Sequence, residues 1–166
     1  MKEIVILSGK GGSGKTSIAA SFALLTEQCV VADCDVDAAD MHLLLNTETK
    51  TTRPFYSGFE AYITASCTQC GNCKRLCRFD AITSHDEQYW IDPIACEGCG
   101  VCVDHCPLNA IELSPALCGE LKISSTNAGT MVHAQLGPGG ENSGHLVSEV
   151  RREARLIAIN DNAPLI

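Results

Sequence analysis

Eight of the eleven cysteines in this chain of 166 residues follow one spacing that occurs twice. The motif C-x2-C-x2-C-x3-C begins at Cys67 and again at Cys96, and an Ala-Ile pair follows each copy at the same distance. Such self-similarity is typical of a duplicated supersecondary unit. Because thiolates are ligands for soft metal centres, the repeat predicts two matching metal-binding half-modules.

Thiolates at this spacing are suited to iron–sulfur clusters. A cubane cluster takes four thiolates, and in two-cluster proteins the fourth comes from the other motif. Gly71, Gly98 and Gly100 are expected to supply the backbone freedom that each loop needs. The pattern therefore favours two [4Fe–4S] clusters, the first held by Cys67, Cys70, Cys73 and Cys106 and the second by Cys96, Cys99, Cys102 and Cys77.

Zinc sites and disulfides are the alternative uses of these cysteines. Zinc modules usually have two separated C-x2-C pairs rather than runs of four cysteines. Disulfides need an oxidising compartment, whereas the chain opens without a secretory signal, which predicts a cytoplasmic protein. Three cysteines outside the repeat are predicted to be structural: Cys29, Cys34 and Cys118. The first two lie on a predicted buried strand, where thiols behave as small apolar groups.

One position breaks the repeat. Arg78 stands in the first motif where the second has Pro107. Proline there fixes a turn and removes an amide, so we expect the turn after Cys77 to be looser while the cluster still binds. A cation beside Cys77 is also expected to raise the reduction potential of the cluster that this cysteine binds.

A glycine-rich segment near the start of the chain has the spacing of a phosphate-binding loop. Residues 9–16 match G-x4-G-K-[ST] between a predicted strand and a predicted helix. We expect Lys15 to reach the β- and γ-phosphates of ATP or ADP and the Thr16 hydroxyl to bind Mg²⁺. The predicted nucleotide-binding residues are Gly9, Lys10, Gly11, Gly12, Ser13, Gly14, Lys15 and Thr16.

Hydrophobic periodicity predicts an α/β arrangement around these motifs. Residues 46–60 have little periodicity and are predicted to be a connector. The predicted strands cover residues 3–8, 29–33, 121–124 and 131–136, with the start of another at 163–166. The predicted helices cover residues 15–27, 40–45 and a segment that begins at Ser143.

Lys10 and the acidic segment 33–40 resemble the deviant Walker A ATPases, which include MinD, the plasmid-partition ATPases and the nitrogenase iron protein. In that family the early lysine crosses a dimer interface, so the resemblance implies a catalytic Lys10 and a homodimer in the nucleotide-bound state. It also implies that Asp35 orients the attacking water and that Asp33 lies near the magnesium. Asp37 could share either role, and for Asp37 and Asp40 a helix-capping role is equally open.

The chain as a whole resembles the MinD-superfamily ATPases that contain an inserted ferredoxin domain. This implies a partial parallel-sheet P-loop NTPase fold of the α/β class, with an α+β bacterial-type ferredoxin insert. The expected domains are 1–60, the first part of the nucleotide-binding domain, 61–114, the insert, and 115–166, the return segment. Family members continue into a strand that supplies a further magnesium-binding aspartate, so we expect ATPase activity from a longer protein and not from this stretch alone.

Composition and resemblance together leave three functional hypotheses. The net charge of −8 and the lack of a basic run argue against a nucleic-acid partner, and the apolar runs are too short for a membrane span. The hypotheses are nucleotide-coupled electron transfer to a redox partner, cluster assembly or carriage for an iron–sulfur partner, and a structural or sensor module on a positioning ATPase. The eight-cysteine module favours retained clusters and therefore electron transfer.

Overall fold

The computed structural model describes residues 2–10, 12–26, 28–86, 88–138 and 143–166. Its helices are α1 (Lys15–Thr26), α2 (Met41–Leu44), α3 (Asn72–Leu76), α4 (Val101–Asp104) and α5 (Ser143–Asn160). Its strands are β1 (Cys29–Asp33), β2 (Glu48–Ile63), β3 (Ile82–His85), β4 (Gln88–Ile91), β5 (Ile111–Thr126) and β6 (Gly129–Leu136). None of the helices in this part of the chain is long and apolar enough to cross a bilayer.

The described residues form two compact units. The first unit contains residues 2–55, 119–137 and 143–166, and the second, called here the cysteine unit, consists mainly of residues 56–118. The chain passes between the units within β2 and again within β5. Each unit has its own buried core, so each is described separately below.

The main sheet is mixed rather than parallel. Its strand order is β1-β6-β5-β2, while β3 and β4 form a separate two-stranded sheet. β1 and β6 are parallel, with Asp33 opposite His133. β5 and β6 are antiparallel because only a short turn at 127–128 joins them. The structure is therefore a mixed α/β protein, and the fully parallel P-loop sheet is not shown.

The predicted strand at 3–8 is wrong. Only Glu3 forms a bridge, with Leu165, and the Ile4 amide donates to the Leu165 carbonyl at 2.9 Å. Leu165 also bridges Val30 in β1, so the expected start of a strand at 163–166 is confirmed as a pair of parallel bridges. No described residue pairs with the segment beyond Ile4, and Leu7 is 85% exposed. A strand needs a continuous partner, which is why the apolar run does not form one.

The predicted connector at 46–60 is also wrong, since most of it belongs to β2. Threonine and aromatic residues are frequent in this segment, and both types favour extended backbone. Pro54 lies within the strand and lacks an amide donor. It is tolerated because β2 is an edge strand of the sheet, where one row of backbone groups has no strand partner.

The predicted helix at 15–27 and the predicted strand at 29–33 are confirmed as α1 and β1, with α1 ending at Thr26. The α1 residues that enter the core are Ala19, Ala20 and Ala23, which pack with Cys29 and Met131 among others. The Cys29 thiol is buried and lies 3.5 Å from the Ala128 carbonyl, to which it donates. Cys29 therefore has the structural role that the sequence predicts.

A buried histidine, His133, lies on β6 opposite the last residue of β1. His133 is 4% exposed, its Nε2 lies 3.0 Å from the Ser124 hydroxyl, and its ring stacks on His42 at 5.6 Å. Burial lowers the pKa of His133 to about 4, and electrostatic interactions with His42 and Lys122 act in the same direction. The imidazole is therefore neutral in the folded protein at neutral pH.

This histidine predicts a pH-dependent stability. Its pKa is lower in the folded chain than the ordinary 6.5, so the unfolded chain binds the proton first. The contribution of His133 to the free energy of unfolding should be fully present above about pH 6.5. It should fall by up to about 3 kcal/mol as the pH drops towards 4. Urea unfolding of the cluster-loaded chain against pH measures this. His133→Gln should remove that part of the slope, whereas exposed His145→Gln should retain it. Equal slopes in all three proteins would contradict the prediction.

In the cysteine unit, the repeat is visible in the backbone. Gly71 and Gly100 are the residues before α3 and α4, and both have φ of 77°. Two residues earlier in each motif, Gln69 and Gly98 have φ of 59° and 58°. Equivalent residues thus adopt the same left-handed conformations, which confirms the predicted duplication.

The Ala-Ile pairs of the repeat form the centre of this unit. Ala81 and Ala110 are each 1% exposed, and Ile82 and Ile111 are each 4% exposed. Side chains of both cysteine motifs pack against the two isoleucines. Burial of these apolar groups holds the two motifs at fixed positions beside one another.

Candidate functional site

The second cysteine motif and one cysteine of the first motif line a common cavity. Its thiols are those of Cys77, Cys96, Cys99 and Cys102, and its other walls include Phe79 and Ile91. Cys77 is brought there by α3, which runs from Cys73 towards it. Four thiols on one largely apolar cavity match the donor set of a cubane cluster, with three from one motif and the fourth from the other.

The first motif also places its thiols near one another. Burial raises the pKa of the Cys73 thiol, and the neighbouring thiols of Cys67 and Cys70 raise it further. Burial and the thiols of Cys96 and Cys99 act in the same way on the pKa of Cys102. The Cys73 and Cys102 thiols therefore resist ionisation, and a bound cationic iron centre would displace their protons.

Cys106 packs against the core cluster that contains Cys73. Backbone amides also point at two sulfurs of the predicted first cluster set. The Gln69 amide donates to Cys67 Sγ at 3.4 Å, and the Ala110 amide donates to Cys106 Sγ at 3.2 Å. Such hydrogen bonds stabilise negative charge on the sulfurs and raise the reduction potential of a bound cluster.

All eleven cysteines are free thiols. Within the described ranges, no group of three or more His, Cys, Asp or Glu side chains is placed to hold a single metal ion.

Gly98 fits its loop only because it has no side chain. A Cβ at this position would lie 2.0 Å from the Phe59 carbonyl oxygen, and its φ of +58° is unfavourable for other residues. Gly58 provides a matched comparison, since it has φ of +71° with nothing within 4 Å of the added Cβ. Comparing an alanine substitution at each of the two glycines therefore separates the effect of steric clash from that of backbone strain.

Gly98→Ala should disrupt the second cysteine loop, because the Phe59 backbone cannot move aside as a flexible side chain would. Iron per chain after anaerobic reconstitution should fall from about eight towards four. Gly58→Ala should retain about eight irons and lose only about 1–2 kcal/mol of stability from the left-handed backbone. Full iron content in Gly98→Ala would show that the loop tolerates the clash.

The phosphate-loop motif lies at the start of α1. The helix begins at Lys15, and the Ile18 amide donates to the Gly14 carbonyl at 3.0 Å. Gly12 and Gly14 have φ of 75° and 84°, a conformation that glycine adopts without strain. Lys10 is exposed. Gly11 lies outside the described residues, so the structure says nothing about that predicted ligand.

Acidic side chains from the end of β1 face Lys15. Lys15 Nζ lies 2.8 Å from Asp35 Oδ2 in a partly exposed ion pair. Asp33 is 5% exposed, and its Oδ1 accepts a hydrogen bond from the Asp35 amide at 3.1 Å. Its Oδ2 is buried with no hydrogen-bond partner among the described residues. Burial raises the pKa of the Asp33 carboxyl.

These groups open onto one cavity of about 490 Å³, which Lys15, Thr16, Asp33 and Asp35 line together. Asp37 is exposed and is not among the lining residues. Asp40 precedes α2, but its side chain makes no capping hydrogen bond. The structure therefore brings together two of the four aspartates singled out in the sequence.

The residues of this cavity to which sequence reasoning gave no site role include Cys34 and Arg151. The sequence predicts a structural role for Cys34, but this cysteine is only partly buried. Arg151 comes from α5, far along the chain, and pairs loosely with Glu3 at 3.7 Å. No spacing in the sequence links this arginine to the phosphate-loop motif, so only the tertiary structure could reveal it.

Comparison with known proteins identifies the cysteine region. Residues 66–111 match the family described as a 4Fe-4S dicluster domain. The chain is similar to Ferredoxin-1 of Chlorobaculum tepidum, with 39% identity over 56 residues that make up 30% of this chain and 90% of that ferredoxin. It is also similar to the pyruvate synthase subunit PorD of Methanothermobacter marburgensis, with 38% identity over 47 residues, 28% of this chain and 54% of the subunit.

A longer similarity is found with an uncharacterized protein of Methanocaldococcus jannaschii. The two are 39% identical over 99 residues, which are 58% of this chain and 34% of that protein. This chain thus spans about a third of the length of that relative. Through its dicluster domain the chain belongs to the ferredoxin family, and it is an iron–sulfur protein of the ferredoxin electron-transfer type.

Proposed function

We propose that nucleotide binding at residues 9–16 controls electron transfer through two [4Fe–4S] clusters in the cysteine unit. The observation behind this proposal is the common cavity of Lys15, Thr16, Asp33 and Asp35. A cation, a hydroxyl and two carboxylates around one space are the groups that a magnesium nucleotide requires. A glycine-rich turn without a ligand would not explain why these four side chains converge.

Asp33 supports a magnesium ion in this cavity. Its buried Oδ2 has no partner in the described structure, and an unpaired buried carboxylate oxygen is costly unless a ligand satisfies it. Asp33 and the Thr16 hydroxyl would hold Mg²⁺, which would supply charge neutralisation for the phosphates. Lys15 would then leave Asp35 for a phosphate, and the released Asp35 carboxylate would be free to orient water. By family resemblance, Lys10 would act on the nucleotide of a second copy in a homodimer.

The clusters would supply one-electron transfer, and the protein's own residues would hold and tune them. We propose Cys67, Cys70, Cys73 and Cys106 for the first cluster and Cys96, Cys99, Cys102 and Cys77 for the second. The cavity shared by Cys77 and the second motif supports this exchange of fourth ligands. Similarity to a pyruvate synthase subunit supports an oxidoreductase as the redox partner.

Redox titration in the presence and absence of magnesium nucleotide tests the proposal. The reconstituted chain should show a shifted cluster potential with Mg-ATP or Mg-ADP, and excess EDTA should reverse the shift. Binding without any shift would mean that the clusters form a structural or sensor module. Absence of both binding and shift would leave a ferredoxin whose phosphate-loop motif does not bind nucleotide.

One observation favours cluster carriage as a second candidate function. The middle cysteine of each loop, Cys70 or Cys99, is exposed, and an exposed ligand is accessible to an incoming thiol. The test is transfer to an apo-ferredoxin, followed by visible circular dichroism. Rapid transfer stimulated by nucleotide would favour a carrier, whereas clusters that stay on this chain for hours would favour electron transfer.

A further inference from the structure

Three positively charged residues lie within the short segment 74–78 of the cysteine unit. Lys74 and Arg75 belong to α3, Arg78 follows it, and all three residues are exposed. They are the only lysine or arginine residues between positions 56 and 118, a stretch that contains eight aspartates and glutamates. This cationic surface, defined as Lys74, Arg75 and Arg78, is therefore opposite in sign to the rest of its unit.

Neutral groups fix these side chains without cancelling their charge. Lys74 Nζ donates to the Ser84 hydroxyl at 3.1 Å, and Arg75 donates to Asn72 Oδ1 at 2.9 Å. The Arg78 guanidinium lies 4.9 Å from the centre of the Phe79 ring, a cation–π contact. None of the three forms an ion pair with a carboxylate in the described residues. Their positive charge therefore remains available to a partner.

The cationic surface adjoins a proposed ligand of each cluster. Helix α3 extends between Cys73, assigned to the first cluster, and Cys77, assigned to the second. Phe79, which contacts Arg78, lines the cavity of the second thiol set. A partner bound at this surface would thus be held beside both cluster sites, which suits electron exchange.

The second motif shows that the fold does not need these cations. The residues equivalent to Lys74, Arg75 and Arg78 are Val103, Asp104 and Pro107, and segment 96–107 contains no lysine or arginine. Helix α4 nevertheless begins from the same left-handed glycine conformation as α3. Because one half of the repeat folds without positive charge, a structural requirement does not explain the charge of the other half.

We infer that Lys74, Arg75 and Arg78 form a docking surface for a redox partner with an acidic face. Complementary charge would steer such a partner to α3 and orient it there, and each arginine can bind a carboxylate through two hydrogen bonds. A basic partner would be directed to the acidic second motif instead, where Glu97 and Asp104 are exposed. This inference rests on electron transfer through the clusters and is independent of nucleotide binding.

Redox-inert paramagnetic complexes can locate the surface in the oxidised, reconstituted chain. The hexacyanochromate(III) anion should broaden NMR signals of the Phe79 ring and of Ser84, whereas the tris(ethylenediamine)chromium(III) cation should act near Glu97 and Asp104. Lys74→Gln with Arg75→Gln should reduce the broadening by the anion at Phe79 at least about threefold at low salt. Lys50→Gln with Lys122→Gln removes the same charge outside the cysteine unit and should leave that broadening unchanged.

The outcomes separate the docking surface from the redox role. Equal losses in the two double variants would show a net-charge effect and overturn the inference, as would preferential broadening of Phe79 by the cation. Iron content of about eight per chain in each variant confirms that both clusters are present. Reduction of the same samples by dithionite is followed separately. Failure to accept electrons would refute the electron-transfer role, while the mapping would still show where an anion binds.

Discussion

Replacing Cys77 and Cys99 together with alanine should leave one intact cluster and about four irons per chain. Both thiols line the same cavity, so the double substitution removes two ligands from one proposed cluster and none from the other. Replacing Cys77 and Cys70 removes the same number of thiols, but one from each proposed cluster. That variant should retain no intact four-thiolate site.

Iron and sulfide analysis with EPR of the reduced protein distinguishes the two variants. The first should show the spectrum of one complete cluster, and the second should show only incomplete clusters or none. Cys29→Ala with Cys118→Ala is the matched control, because both thiols are buried outside the repeat, and it should retain about eight irons. If the Cys77/Cys70 variant instead retained one complete cluster and the Cys77/Cys99 variant retained none, Cys77 would belong with Cys67, Cys70 and Cys73.

Lys15→Ala should weaken magnesium-nucleotide binding by at least about 100-fold, since it removes the cation expected at the terminal phosphates. Asp35→Asn should have the opposite effect. Asp35 holds Lys15 at 2.8 Å in the free protein, and a nucleotide must displace it. A partly exposed pair is worth at most about 1 kcal/mol, so affinity should increase by no more than about fivefold.

Equilibrium binding of a fluorescent ATP analogue measures both changes. Lys50→Ala is a suitable control because it removes an exposed lysine paired with Glu48. Weaker binding in Asp35→Asn would show that this carboxylate contacts the ligand rather than competing for Lys15. Unchanged binding in Lys15→Ala would place the nucleotide elsewhere or exclude it, while the cluster assignment would be unaffected.

The order of strands shows where local patterns failed. An apolar run at 3–8 predicts a buried strand, but pairing depends on what lies beside it, and Leu165 provides only a short partner. The connector predicted at 46–60 is a strand because β5 and its neighbours provide an edge for it to join. In α1, the larger apolar residues Ile18 and Phe22 are 50% and 45% exposed, and the residues that enter the core are alanines.

What the sequence determined by itself is local chemistry: two loops with three closely spaced thiols each, a glycine-rich turn before a helix, and a repeat that folds twice in the same way. These features depend on residues near one another along the chain, so spacing is enough to define them. The tertiary structure decided the long-range partners. It placed Asp35 on Lys15 and Arg151 in the cavity, because packing of distant elements rather than local conformation brings these side chains together. The position of Cys77 beside the second motif agrees with what the spacing of the cysteines predicts.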